Sequence, residues 1–103
     1  MKLIITGRHL DVRPALKKYV SGKMSKLDRY ADDIIHAHIV LELEKRFAVV
    51  EANISLKKCH ITVKEKNEDM YAAIDKSFDS LKKQILKYES RLKGRRRKSR
   101  SVE

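Results

Sequence analysis

The chain has 103 residues, with 25 Lys and Arg against 14 Asp and Glu and a formal net charge of +11. A domain of this size buries roughly 65% of its unfolded surface, enough for one core and too little for two domains. No stretch approaches the ~20 apolar residues of a membrane span, Met1–Thr6 is too short an apolar run for a signal peptide, and the single Cys59 excludes an internal disulfide.

These features predict a soluble protein of a reducing cytoplasm. The charge is unevenly spread: residues 91 to 100 hold seven basic residues and no acid, while residues 1 to 90 carry a net +5. The reading is a moderately basic domain over residues 1–93 and a basic tail over 94–103, expected to be disordered because like charges crowd it. Nucleic acid is the leading partner class, with an anionic membrane surface behind it.

In chain order, Lys2 to Thr6 reads as a short strand ended by Gly7. Asp11 has the character of a helix N-cap, with Pro14 tolerated in the first turn. Leu16, Tyr19, Val20, Leu27 and Tyr30 then mark the apolar face of a first helix. Lys23 falls near the centre of that stripe and has two readings, a lysine whose stem packs while its ammonium reaches water, or a lysine that meets phosphate. Lys18, Lys26 and Arg29 occupy an adjoining polar sector, and the small residues Gly22 and Ser25 between them leave room for close approach of a bulky backbone.

From Ile35 to Arg46 the pattern alternates, predicting a half-buried strand with Ile35, Ala37, Ile39, Leu41 and Leu43 inward. A turn near Lys45-Arg46 leads to a strand with Ala48, Val50, Ala52, Ile54 and Leu56 inward. A second turn at Lys57-Lys58 leads to Cys59, Ile61 and Val63 inward, with Cys59 a small buried hydrophobe. The final segment opens on Asp69, a candidate N-cap, and runs to about Lys93. Met70, Ile74, Phe78, Leu81, Ile85, Tyr88 and Leu92 recur at helical spacing along it. One flank of that stripe carries Lys76, Ser80, Lys83, Gln84, Lys87 and Arg91 with no acid, the other mixes Asp75, Asp79 and Glu89 with Lys82 and Lys93. A solvated helix interleaves its charges, so a flank of one sign points to a polyanion lying along it.

The order β-α-β-β-β-α predicts an α+β two-layer sandwich: a four-stranded sheet with two helices on one face and the first strand parallel to its neighbour through a right-handed crossover. The outer sheet face carries Glu42, Glu44 and Glu51, so the RNA surface is placed on the helix layer. With Tyr19, Tyr30, Phe78 and Tyr88 all on core stripes, recognition would rest on phosphates and helical RNA shape. No catalytic constellation appears. The three glycines are not clustered, and Cys59 has no general-base partner by spacing. His36, His38 and His60 fall on the outer face with no third carboxylate or cysteine at a fixed offset. No enzymatic activity, cofactor, metal or small-molecule substrate is expected.

Asp69-Met70-Tyr71-Ala72-Ala73-Ile74-Asp75, followed by Leu81, Lys83, Gln84 and Lys87, resembles the ribosome hibernation-promoting factors, also called ribosome-associated inhibitors or sigma-54 modulation proteins. Ile5-Thr6-Gly7, Ala15-Leu16-Lys17, Lys23, Lys26-Leu27, Tyr30 and Glu44-Lys45 extend the likeness over about residues 1 to 92. The resemblance implies a fold similar to double-stranded-RNA-binding domains. It also implies binding to the small ribosomal subunit and its ribosomal RNA, in the channel of messenger and transfer RNA, blocking translation under stress. By position it carries over Lys17, Lys23, Lys26, Lys83 and Lys87 as RNA-binding residues; Arg8, Lys76 and Arg91 are added on electrostatic grounds. With no linker or dimerisation domain, the chain resembles the short form, expected as a monomer when free. The alternative is a general double-stranded-RNA binder or RNA chaperone.

Overall fold

The computed structural model describes residues 2–31 and 33–96, with side chains described through Arg91. The elements are β1 (Lys2–Arg8), α1 (Pro14–Leu27), a 3₁₀ turn (Asp28–Tyr30), β2 (Ile34–Glu44), β3 (Phe47–Leu56), β4 (His60–Asn67) and α2 (Met70–Arg96). This is the expected β-α-β-β-β-α order. One four-stranded sheet runs β1-β2-β3-β4, with β1 parallel to β2 and the other pairs antiparallel. Among the described residues no helix is long and apolar enough to cross a membrane.

Both helices bury one stripe against one face of the sheet. Val20, Met24, Ala37, Ile39, Leu41, Val50, Ala52, Ile54, Ile74, Leu81 and Ile85 meet there in a single core. Met24 holds the centre of the α1 stripe, fully buried, where the sequence reading set Lys23. Tyr30, expected on the same stripe, is exposed in the 3₁₀ turn with the Lys82 ammonium 4.9 Å from its ring centre. Ser77 is the one buried polar side chain among the described residues, and its hydroxyl donates to the Ile74 carbonyl at 2.8 Å.

Local chemistry sets the element ends. Asp69 caps α2 as expected, its Oδ2 accepting the Ala72 amide at 3.0 Å. Asp11 does not cap α1. The N-cap is Arg13, with no side-chain bond, because Pro14 already takes the first helical position and needs no amide partner. The Arg13 carbonyl accepts the amides of Leu16 and Lys17, each at 3.0 Å. A Cβ at Gly7 would overlap the Leu10 carbonyl oxygen and sit 2.8 Å from Val12 Cγ2, so only glycine lets the chain fold back past the end of β1. The two-residue turn between Glu44 and Phe47 puts Lys45 at φ 59°.

The β2 alternation is corrected at both ends. The register shifts between Ile34 and His36, so Ile34 turns inward and Ile35 is 52% exposed. Leu43 keeps the inward phase but lies beyond the helix cover, 43% exposed. Cys59 falls in the turn before β4 and is exposed, not buried. α2 continues to Arg96, past the expected boundary at Lys93; the remaining expected tail, residues 97–103, lies outside the described residues.

Candidate nucleic-acid interface

Three contacts join the helices. The Tyr19 hydroxyl donates to Asp75 Oδ1 at 2.5 Å, and the Lys23 ammonium reaches the same oxygen at 3.0 Å. The Tyr19 and Tyr71 rings meet edge to face, with centroids 4.8 Å apart. The Tyr19 hydroxyl bond holds the Asp75 carboxyl below its ordinary range despite its partial burial, and Lys23 adds to that effect. The same bond, with burial, pushes the Tyr19 hydroxyl up to about 12. Lys23 thus spends its charge within the protein, a third use beside the two the sequence left open.

This brace fixes which flank of α2 faces which way. Asp75 touches α1 and Lys82 touches the 3₁₀ turn that follows α1, so the mixed-charge flank is the one turned toward α1. Lys76, Lys83, Lys87 and Arg91 are exposed on the remaining arc. At 100° per residue they form a row from the crest of α2 down toward β4. The single-sign flank is real and continuous, but it faces away from α1.

The α1 candidates divide. Lys26 sits seven residues after Tyr19 and so shares its α2-facing flank; Lys17 lies 200° of helical phase from Tyr19, on the opposite side. Both are exposed, as are Lys18 and Arg29. Gly22 has open space where a Cβ would lie. Arg8 is not on the helix layer. It ends β1 on the open sheet face, with Nη1 3.8 Å from Glu42 Oε1, because β1 pairs in register with β2 and Arg8 falls opposite Glu42.

That open face is not acidic, as the sequence reading had it. Besides Arg8–Glu42, the Lys66 ammonium lies 3.7 Å from Glu44, and Lys64 stands opposite Glu51 in register. Its histidines enter side-chain hydrogen bonds: Ser55 Oγ lies 3.2 Å from His36 Nε2 and 3.1 Å from His60 Nδ1, and Thr6 Oγ1 lies 2.9 Å from His38 Nε2. No group of three His, Cys, Asp or Glu side chains among the described residues is arranged to hold a metal.

The sequence reading missed a groove of about 520 Å³ between the β3–β4 turn and the C-terminal half of α2. Lys58 and Cys59 from the turn face Gln84, Lys87, Tyr88 and Arg91 from the helix across it. Tyr88 is held there by donating its hydroxyl to Asp33; burial first, and that bond second, push it up to about 12. The groove walls partly desolvate the otherwise exposed Cys59 thiol and raise it, with Asp33 adding to the shift and Arg91 opposing it. Lys58 was visible only as part of a turn; its approach to α2 depends on strand register, which no local pattern encodes.

The arrangement suits anions: a row of cations on one helix, extended by a lysine from a turn, with no catalytic group converging on it. A ribosome hibernation promoting factor of Klebsiella oxytoca is 38% identical over 93 residues, spanning 90% of this chain and 98% of that one. The crystal structure of the Protein Y N-terminal domain from Thermus thermophilus superposes with a TM-score of 0.81 at 35% identity, covering 85% of this chain and 99% of that one. A ribosomal subunit interface protein from Coxiella burnetii gives 0.79 at 30% identity, covering 87% and 99%. Residues 3–93 match the family model described as sigma 54 modulation protein / S30EA ribosomal protein, and the chain belongs to that family.

Proposed function

We propose that this protein is a ribosome hibernation factor that binds the small ribosomal subunit through ribosomal RNA, occupies the messenger and transfer RNA channel, and so silences translation under stress. The observation that carries the reading is the α2 row of Lys76, Lys83, Lys87 and Arg91, exposed and turned away from α1, in a chain similar to named hibernation promoting factors. Lys26 extends the contact from the α2-facing flank of α1, and Lys17 makes a separate contact from the opposite flank. Arg8 drops out of it, and Lys23 joins only if RNA displaces it from Asp75. No enzymatic step is involved, in keeping with the family. The free protein acts as a monomer in the cytoplasm.

Phosphate contact supplies affinity, and the shape of folded ribosomal RNA supplies the address. A generic duplex-RNA binder would share the first property without the second. Sucrose-gradient sedimentation of the protein with ribosomal subunits separates the two. The expected result is co-migration with the small subunit that survives a large excess of generic RNA duplex, together with inhibition of translation in vitro. Displacement by the duplex, or migration only at the top of the gradient at low salt, would overturn the proposal.

A further inference from the structure

We propose that the groove between the β3–β4 turn and α2 is a nucleotide-binding site, with the phosphate held by Lys58, Lys87 and Arg91 and the base laid against Ile61 and Tyr88. Its volume of about 520 Å³ lies within the roughly 300–1,000 Å³ typical of small-ligand pockets. The two parts of a nucleotide match its two parts. Three cations line it and no carboxylate does; the nearby Asp33 carboxylate is engaged by the Tyr88 hydroxyl and outweighed by the three cations, so an anion gains charge-assisted bonds there. Below them the surface is apolar: Ile61 is 7% exposed, and the Tyr88 ring is half-buried.

The Tyr88 wall is prepared in advance. Its hydroxyl is tied to Asp33, so the ring is fixed in place before any ligand arrives, and little rotamer freedom remains to be lost on stacking. The Gln84 amide, exposed at the rim, can donate to and accept from the edge of a base. A bare phosphate would use only the cations, and a base paired within a duplex could not reach the wall. The chemistry therefore selects an unpaired nucleotide, either free in solution or exposed in an RNA strand. This goes beyond ribosome binding, and it can be tested on the purified protein without ribosomes.

Cys59 is the reporter. It is the only cysteine of the chain, it is exposed, and it lines the groove, so its alkylation rate reads occupancy. Iodoacetamide labelling is followed by mass spectrometry with AMP, adenosine, inorganic phosphate or a short single-stranded oligonucleotide present. By mass action, AMP should slow labelling about threefold when present at about twice its Kd. Adenosine and phosphate at the same concentration should protect less, and Lys58→Glu should abolish the AMP effect. Protection by AMP identifies a free nucleotide as a ligand; protection by the oligonucleotide alone identifies a nucleotide within a strand. No protection by either, protection by phosphate equal to that by AMP, or full protection in Lys58→Glu would overturn the assignment.

Discussion

Asp75→Asn tests the joint between the helices and the state of Lys23 together. Asparagine keeps an oxygen in place for the Tyr19 hydroxyl, now 2.5 Å away, but turns a charge-assisted bond into a neutral one, a loss of about 1 kcal/mol. The Lys23 pair is also lost. With side chains 31% and 44% exposed it ranks as a surface pair, worth roughly 0.2–1 kcal/mol. Together the change should cost about 1–2 kcal/mol, lowering Tm by roughly 5–15 °C in a domain of this size. Since the native carboxyl titrates below its ordinary range, its stabilisation is present above the unfolded value and is lost as pH falls through the native one. Wild type and variant should therefore begin to converge below about pH 4 and meet only once the pH has fallen below the native value. Released from Asp75, Lys23 becomes available to phosphate, and the slope of log K against log salt for small-subunit binding should steepen by about 0.7–0.9. Thermal melting by circular dichroism and filter binding across a salt series check the two halves. An unchanged Tm at neutral pH, or a deficit that persists in acid, would refute the reasoning.

Other outcomes follow from the same geometry. Gly22→Ala adds a methyl into open space on an exposed helix, so it should stabilise the protein by about 0.5–1 kcal/mol; it should also weaken small-subunit binding if RNA packs closely on that sector, and unchanged binding would remove the sector from the interface. Gly7→Ala drives its Cβ into the Leu10 carbonyl and should cost about 2 kcal/mol or more, read as a lower denaturant midpoint. Tyr19 and Tyr88 are both raised from 10.0 to about 12. The stability they add is full below pH 10 and is lost as pH rises from 10 toward 12, which unfolding followed by tyrosinate absorbance should show, with a smaller loss in Tyr88→Phe.

The elements that periodicity marks most strongly are the ones the structure reproduces. The three- and four-residue spacing from Met70 to Ile85 and the alternation from Val50 to Leu56 each record one buried face, although Val49, in the outward phase, is buried as well, and Asp69 caps where it should. The differences arise where a residue answers to something other than its own segment. The irregularity at Ile34 moves Ile35 out of phase, and the preceding Ile in the same run cannot reveal which of the two turns inward. Arg8 is a candidate on charge alone, and charge does not show its face; parallel pairing with β2 puts it on the open side of the sheet. The basic flank of α2 was legible as a flank, whereas its direction was not. Helical spacing is symmetric about the apolar stripe, and it takes the contacts of Asp75 with Tyr19 and Lys23, and of Lys82 with Tyr30, to show where α1 packs. The groove at Lys58 joins two segments far apart in the chain, a juxtaposition created by the β3–β4 register.

If the outward row on α2 holds ribosomal RNA, Lys83→Glu with Lys87→Glu should break that hold. Both side chains are exposed and neither lies in the core, so the melting curve should match wild type. Two lost phosphate contacts at about 1.5 kcal/mol each correspond to roughly a 100-fold weaker Kd for the small subunit, before any added repulsion. The salt slope should flatten by about 1.4–1.8, twice the value for one neutralised phosphate. Wild-type affinity and slope in a folded double variant would mean that the α2 row is not the surface that meets RNA.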